Sequence, residues 1–389
     1  MSELVYREVP PEDYERFAQI QAVSYGWNYE RALASVRGSG PWAVRGVYRD
    51  GRLVCGAYVY SLQVLAGGPV VAAGGLGNVA TPPEERRRGY VGRLLREACE
   101  ELRAQGTALC TLGAFKESFY GRYGWATYLE TRRFSGPPAR FARFRQLAGV
   151  WAPVGAEAIP ELDAIYRGAL RARFGPVVRD EAWWRERVLQ PFNYLWRDDT
   201  GAARAYVLFN FEGQWERREL HCREVVALDP EARRQIFSFF ASHEDQSAAV
   251  VFSAPSDAPV QQLLPDPLEC RMEPGYMLRL LDVPAALEAL SYPRDAQGRL
   301  TIAVADDWME HNQGVFELEV AEGRATCRRA DGAEADLACD VRQLAQIYSR
   351  HLRPRTAAAF GLLTVSSRPA LALLDRLFSG PAPFTSDWF

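Results

Sequence analysis

From Leu53 to Pro83 the chain carries no charged residue. The stretch is long enough to cross a bilayer, for which roughly 20 apolar residues suffice. It is broken, however, by Gly56, Gly67, Gly68, Gly74, Gly75 and Gly77, together with Pro69. Val, Tyr and Leu dominate its first part, and Gly67-Gly68-Pro69 has the chemistry of a turn. The segment therefore reads as two buried strands joined by a hairpin, with no membrane insertion. Its flanks extend it into an α/β unit. A helical pattern opens at Pro11-Glu12-Asp13 and runs through Phe17 and Ile20, followed by strands over 42–49, 53–64 and 70–80. Gly92 to Gln105 is an amphipathic helix, with Leu94, Leu95, Ala98, Cys99 and Leu102 at helical spacing. Gly106 ends it, and Ala108 to Gly113 returns as a strand.

At 389 residues the chain exceeds a single hydrophobic core. A Pro/Arg-rich connector, Ser135 to Arg145, closes the first unit. Helices are expected over 160–173, 180–189 and 230–242, and strands over 203–211, 219–227 and 249–253. A second boundary falls near Ser291-Tyr292-Pro293-Arg294. Strands over 299–305, 314–320 and 324–328 follow, then helices over 339–348 and 369–378. The division is thus 1–140, 141–290 and 291–389. The sequence stops in Pro381-Ala382-Pro383-Phe384-Thr385-Ser386-Asp387-Trp388-Phe389, whose aromatics argue for insertion rather than fraying.

With 46 basic and 49 acidic residues, the net charge of −3 gives no basic field for nucleic acid. All basic residues but Lys116 are arginine, which removes the usual lysine choices for covalent or base catalysis. Seven scattered cysteines form no C-x-x-C pair, and the four histidines have no ligand spacing, so neither a disulfide framework nor a metal site is expected. No basic segment followed by an apolar one opens the sequence, which points to the cytoplasm.

The segment that carries chemistry is 79–95. A hydrophobic strand ends at Val79-Ala80-Thr81, passes through Pro82-Pro83-Glu84-Glu85 into Arg86-Arg87-Arg88-Gly89, and opens directly into the helix at Tyr90-Val91-Gly92. Backbone N–H groups at a helix start, helped by the helix dipole, bind anions. Gly89 lets a phosphate approach the backbone, and the arginines add charge. Neither a Walker A loop nor a Rossmann fingerprint is present.

Arg86-x-x-Gly89 before Leu94-Leu95 resembles the pyrophosphate loop of the GNAT acetyltransferases, with Val91 in place of the family's small residue and Gly92 one position later. Phe119-Tyr120-Gly121-Arg122-Tyr123-Gly124-Trp125 resembles the family's Phe-Tyr-x-x-x-Gly-Phe segment. The triple arginine, Tyr120-Gly121-Arg122-Tyr123-Gly124, the stretch Leu278 to Ala289, and Leu374-Asp375-Arg376-Leu377-Phe378 narrow the likeness to the enhanced intracellular survival (Eis) type. The resemblance implies an α/β (α+β) fold: two tandem GNAT folds, the second degenerate, then a sterol-carrier-like domain. It implies acetyl-CoA as cosubstrate, no metal, and a homo-oligomer, a hexamer built from dimers. Val79, Ala80 and Thr81 would pair with the pantetheine amides, Arg87 to Gly92 would hold the pyrophosphate, and Phe115 and Lys116 would lie near the cofactor arm.

Acetyl transfer to an amine needs a proton for the leaving thiolate and an acceptor for the amine proton. Tyr120 is the candidate acid, since a phenol titrates near ~10. The Eis resemblance assigns the second role to the chain's terminal carboxylate, here that of Phe389, with Asp387 and Glu84 as alternatives. Tyr25, Trp27 and Trp388 are candidates for the acceptor pocket. The acceptor is a small-molecule amine: an aminoglycoside, a polyamine or a lysine amine. The competing reading is a non-catalytic protein that binds acyl-CoA or an apolar ligand.

Overall fold

The computed structural model describes residues 3–144, 149–214, 217–330 and 332–388. Phe389 lies outside them. Among the described residues, the strands form three sheets of eight, seven and five strands, each covered by helices. The architecture is mixed α/β. No described helix is long and apolar enough to cross a membrane.

In the first unit the elements are β1 (Leu4–Glu8), α1 (Tyr14–Tyr25), α2 (Tyr29–Arg37), β2 (Trp42–Arg49), β3 (Arg52–Ala66), β4 (Val70–Ala80), α3 (Tyr90–Ala104), β5 (Leu109–Gly113), α4 (Glu117–Gly121) and β6 (Ala126–Thr127). The uncharged stretch is the β3–β4 hairpin, buried over most of its length. Its lack of charge follows from position, because α1 and α3 both pack on it. The helix expected over 92–105 begins two residues earlier, at Tyr90, and its buried stripe is the expected Leu94, Leu95, Ala98, Cys99 and Leu102.

The sheets do not follow the chain's linear order. The first runs β1-β2-β3-β4-β5, then Tyr276–Leu280, then β6, with Phe174–Val177 paired to the far end of β3. Glu130–Gly136, close after β6, belongs instead to the second sheet, between Glu269–Pro274 and Ala249–Pro255. The first two sheets thus exchange strands, and Tyr276–Leu280 reads as a near-continuous apolar run because it is buried on both faces. The third sheet packs Arg324–Arg329, Gly314–Ala321, Gly298–Ala305, Leu337–Asp340 and Thr364–Val365 side by side. The helix expected over 339–348 starts at Val341. Cys339 and Asp340 finish a strand, and the Asp340 carboxylate caps the helix through the Arg342 N–H.

The first two sheets share one device. Each contains a single parallel pair bridged by a helix: β4 and β5 across α3, and Glu219–Ala227 with Ala249–Pro255 across the helix Pro230–Ala241.

Candidate active site

The parallel ladder between β4 and β5 stops early. Gly74, Gly75 and Leu76 pair with Cys110, Thr111 and Leu112, and no pairing follows. Beyond that point β4 is bulged against β3, and Asn78 sits at φ 52°, a left-handed conformation uncommon for a residue with a side chain. The strands therefore part into a wedge, with Gly77–Ala80 on one side and the residues after Gly113 on the other.

At the wedge's end the chain turns through 81–89 into α3. Arg87 and Gly89 both have positive φ, 62° and 83°. This turns successive backbone groups toward one side, as anion-binding nests do. No side chain caps α3, and its first turn has no acidic residue, so the first N–H groups of the helix are left for an anion. The matching helix of the second unit is closed instead: Asp229 caps it through the Ala232 N–H, and Glu231 stands in its first turn. Only the first unit offers an open helix end at this position.

Buried Glu85 anchors the basic loop. It pairs with Arg49 at 2.8 Å, and Arg49 also donates to the Tyr90 hydroxyl at 2.8 Å. Arg86 donates to the Thr81 carbonyl, and Arg88 lies 3.5 Å from Glu85. Arg87 has no ion pair among the described residues. Val91 packs into the core beneath the helix. Gly92 faces Tyr123, whose hydroxyl would lie 3.0 Å from any Cβ there. A side chain at Gly92 would crowd Tyr123, so the tight position falls one residue later than in the family's motif.

Tyr120, on α4, is buried against Phe115, Phe119 and Trp125. Burial raises its pKa above the usual phenol value, with the Cys55 thiol adding to the effect. The hydroxyl thus stays protonated at neutral pH, and it makes no hydrogen bond among the described residues. Tyr25 feels the same surroundings: burial, then Tyr120 and Cys55, raise its pKa. Its hydroxyl donates to the Val79 carbonyl at 2.8 Å. The Thr81 carbonyl likewise accepts from Ser24 and Arg86. Phe115 is 74% exposed, and Lys116 beside it is also exposed.

Next to Asn78 lies a pocket of about 650 Å³, walled by Trp27, Trp42, Tyr58, Tyr60 and Trp388 and edged by Arg31, Arg187 and Glu186. Two of the expected pocket residues, Trp27 and Trp388, meet here although 361 positions separate them. Tyr25 does not line the pocket; it stacks on Trp27 from outside, with ring centroids 5.0 Å apart. Tyr58 and Tyr60 were missed as pocket residues, although two aromatics two apart on one strand share a face. Glu186 and Arg187 had no signal, since they arrive on a π-helical turn, Trp184–Val188, of the second unit.

The two alternatives for a base are engaged elsewhere. Asp387 accepts from Arg179, Trp183, Tyr166 and Thr385 and is fully buried. Glu84 is exposed and lies 3.4 Å from Arg16.

Comparison with known proteins places this geometry. Residues 5–128 and 175–280 each match an acetyltransferase (GNAT) domain family, and residues 283–386 match the sterol carrier protein domain family. The N-acetyltransferase Eis of Mycobacterium bovis is 27% identical over 368 residues, covering 88% of each chain. The chain is a GNAT acetyltransferase, similar to the Eis type. An Eis-type order of two GNAT domains and a sterol-carrier domain explains the two sheets with a helix-bridged parallel pair and the separate third sheet. A Streptomyces griseus protein named an uncharacterized N-acetyltransferase is 29% identical over 381 residues, covering 89% of each chain. Two crystal structures share the fold along the whole of both chains: a GCN5-related N-acetyltransferase from Anabaena variabilis (TM-score 0.91, 23% identity) and Eis1 from Mycobacterium abscessus (TM-score 0.81, 24% identity).

Proposed function

We propose that the first unit binds acetyl-CoA and transfers its acetyl group to a primary amine by direct attack, with Tyr120 as general acid. The observation that carries this reading is the buried, protonated Tyr120 hydroxyl beside the β4–β5 wedge, without a hydrogen bond among the described residues. The uncapped start of α3, with Arg87 and Gly89 turned left-handed, suits a pyrophosphate. Val79–Thr81 and Phe115–Lys116 flank the wedge where the pantetheine arm would lie. Acetyl-CoA supplies an activated acetyl thioester there. Tyr120 gives its proton to the departing sulfur as the C–S bond breaks and the C–N bond forms, and recovers one from solvent. The amine proton passes through water to the α-carboxylate of Phe389, whose neighbour Trp388 stands in the pocket wall. The three-domain division near residues 140 and 290, a cytoplasmic location, consistent with seven free cysteines, and a hexameric assembly belong to the same proposal.

The test is acetyl-CoA-dependent thiol release across a panel of amines. Turnover that Tyr120→Phe lowers and that a short extension beyond Phe389 abolishes is the expected result. Turnover unchanged by the extension removes the terminal carboxylate from the mechanism. Acetyl-CoA that fails to bind removes the whole reading.

A further inference from the structure

The pocket's charges run against a polycationic acceptor. Two guanidinium groups edge it, and each stands over aromatic rings: the guanidinium carbon of Arg31 is 5.1 Å from the Trp27 centroid, and that of Arg187 is 5.1 Å from that of Trp42 and 4.8 Å from that of Trp183. Neither has an ion pair among the described residues. Among the described residues one carboxylate stands against them, Glu186. The planar fork of a guanidinium matches a planar carboxylate in two parallel hydrogen bonds. The Tyr60 hydroxyl takes one contact from Arg187, which fixes the group's orientation without neutralising it.

An aminoglycoside or polyamine would bring several ammonium groups toward two unpaired cations and a single acid. A lone ammonium is better served: Glu186 can meet one positive charge, and two arginines are left for a negative group. The walls between are flat aromatic rings, which favour a flat apolar body.

We propose that the acceptor is an amine that carries its own carboxylate on an aromatic or similarly flat frame, the carboxylate held by Arg187 and Arg31. This rests on acetyl transfer at this pocket.

The experiment compares matched acceptors with the full-length protein: benzylamine against 4-(aminomethyl)benzoate, with spermidine and kanamycin as polycations. Thiol release gives kcat/KM, and quenching of tryptophan fluorescence gives binding in the absence of acetyl-CoA. The expected result is a kcat/KM for 4-(aminomethyl)benzoate about 10- to 100-fold above that for benzylamine, the size of a charge-assisted contact. The ratio should fall toward one in Arg187→Met and in Arg31→Met, the latter an exposed position whose change does not disturb the core. Equal use of the matched pair, preference for a polycation, or a ratio that survives both substitutions overturns the inference while leaving acetyl transfer intact. Carboxylate-selective binding without thiol release from any amine does the reverse: it supports the pocket's selectivity and overturns acetyl transfer.

Discussion

Asp387 Oδ1 accepts from Arg179 Nε at 2.8 Å, and both side chains are wholly shielded from solvent. The same guanidinium holds Glu224 at 2.6 Å. Two buried carboxylates on one cation leave a net negative charge, and neutral donors compensate it. Trp183 and Tyr166 donate to Asp387, while Tyr206 and Ser386 donate to Glu224. The tail of the third unit is thereby pinned into the second, one residue before Trp388 enters the pocket beside the first. The cluster thus joins the tail to the second unit at the edge of the pocket.

Breaking that pair is costly. Asp387→Ala leaves Arg179 paired with Glu224 but removes the acceptor of the buried Arg179 Nε–H and Trp183 Nε1–H, and the loss is expected to be about 2–6 kcal/mol. Asp387→Asn keeps the shape and some hydrogen bonds and should cost less. Differential scanning calorimetry of the two variants checks the order. A melting temperature unchanged in Asp387→Ala contradicts the anchoring role.

The pair also predicts a pH dependence. Burial by itself would raise the Asp387 carboxyl. The Arg179 guanidinium and the hydrogen bonds from Trp183 and Tyr166 outweigh it and hold the group below its ordinary value. A carboxyl lower in the folded than in the unfolded state contributes fully above the unfolded pKa, ~3.9, and loses that contribution as pH falls through the folded one. The tail should stay docked from pH 7 to 5 and loosen only below about pH 4. Trp388 fluorescence against pH reads this directly, and a transition centred between pH 5 and 7 is inconsistent with it.

Tyr120→Phe separates chemistry from packing. The ring contacts remain, and the hydroxyl has no hydrogen bond among the described residues to lose, so the melting temperature and acetyl-CoA affinity should hold. Loss of a general acid lowers kcat by about 10²–10⁴-fold. Because burial raises the phenol's pKa, wild-type turnover should keep its acid form to pH 10 and beyond. Steady-state kinetics over pH 6–10 test both statements.

Gly89→Ala probes the pyrophosphate loop. No atom lies within 4 Å of the added Cβ, but φ is 83°. The cost is therefore backbone strain alone, about 1–2 kcal/mol. Calorimetric titration should show weakened binding of acetyl-CoA, while the same change at exposed Gly51, also at positive φ with open space around it, should strain the fold without touching affinity. Equal affinity losses in both variants would refute a local role for Gly89.

Much of the first unit was decided within short windows of sequence. The uncharged run from Leu53 to Pro83 could only be buried, and its glycines and proline made it a hairpin rather than a span. The stripe from Leu94 to Leu102 fixed a helix, and Arg86 to Gly89 fixed a basic turn at its start. Periodicity and turn chemistry act over a few residues, so they can be read locally. What the tertiary structure decided lies at long separation. Tyr276–Leu280 enters the first sheet between β5 and β6, Arg187 and Glu186 come from the second unit to edge the pocket, and Asp387 finds Arg179 across 208 positions. An apolar strand does not name its neighbour, and a lone arginine or aspartate has no partner until packing supplies one. The wedge between β4 and β5 was equally illegible: it follows from where a ladder stops, which depends on Asn78 and the bulge beside it, and no periodicity marks that point.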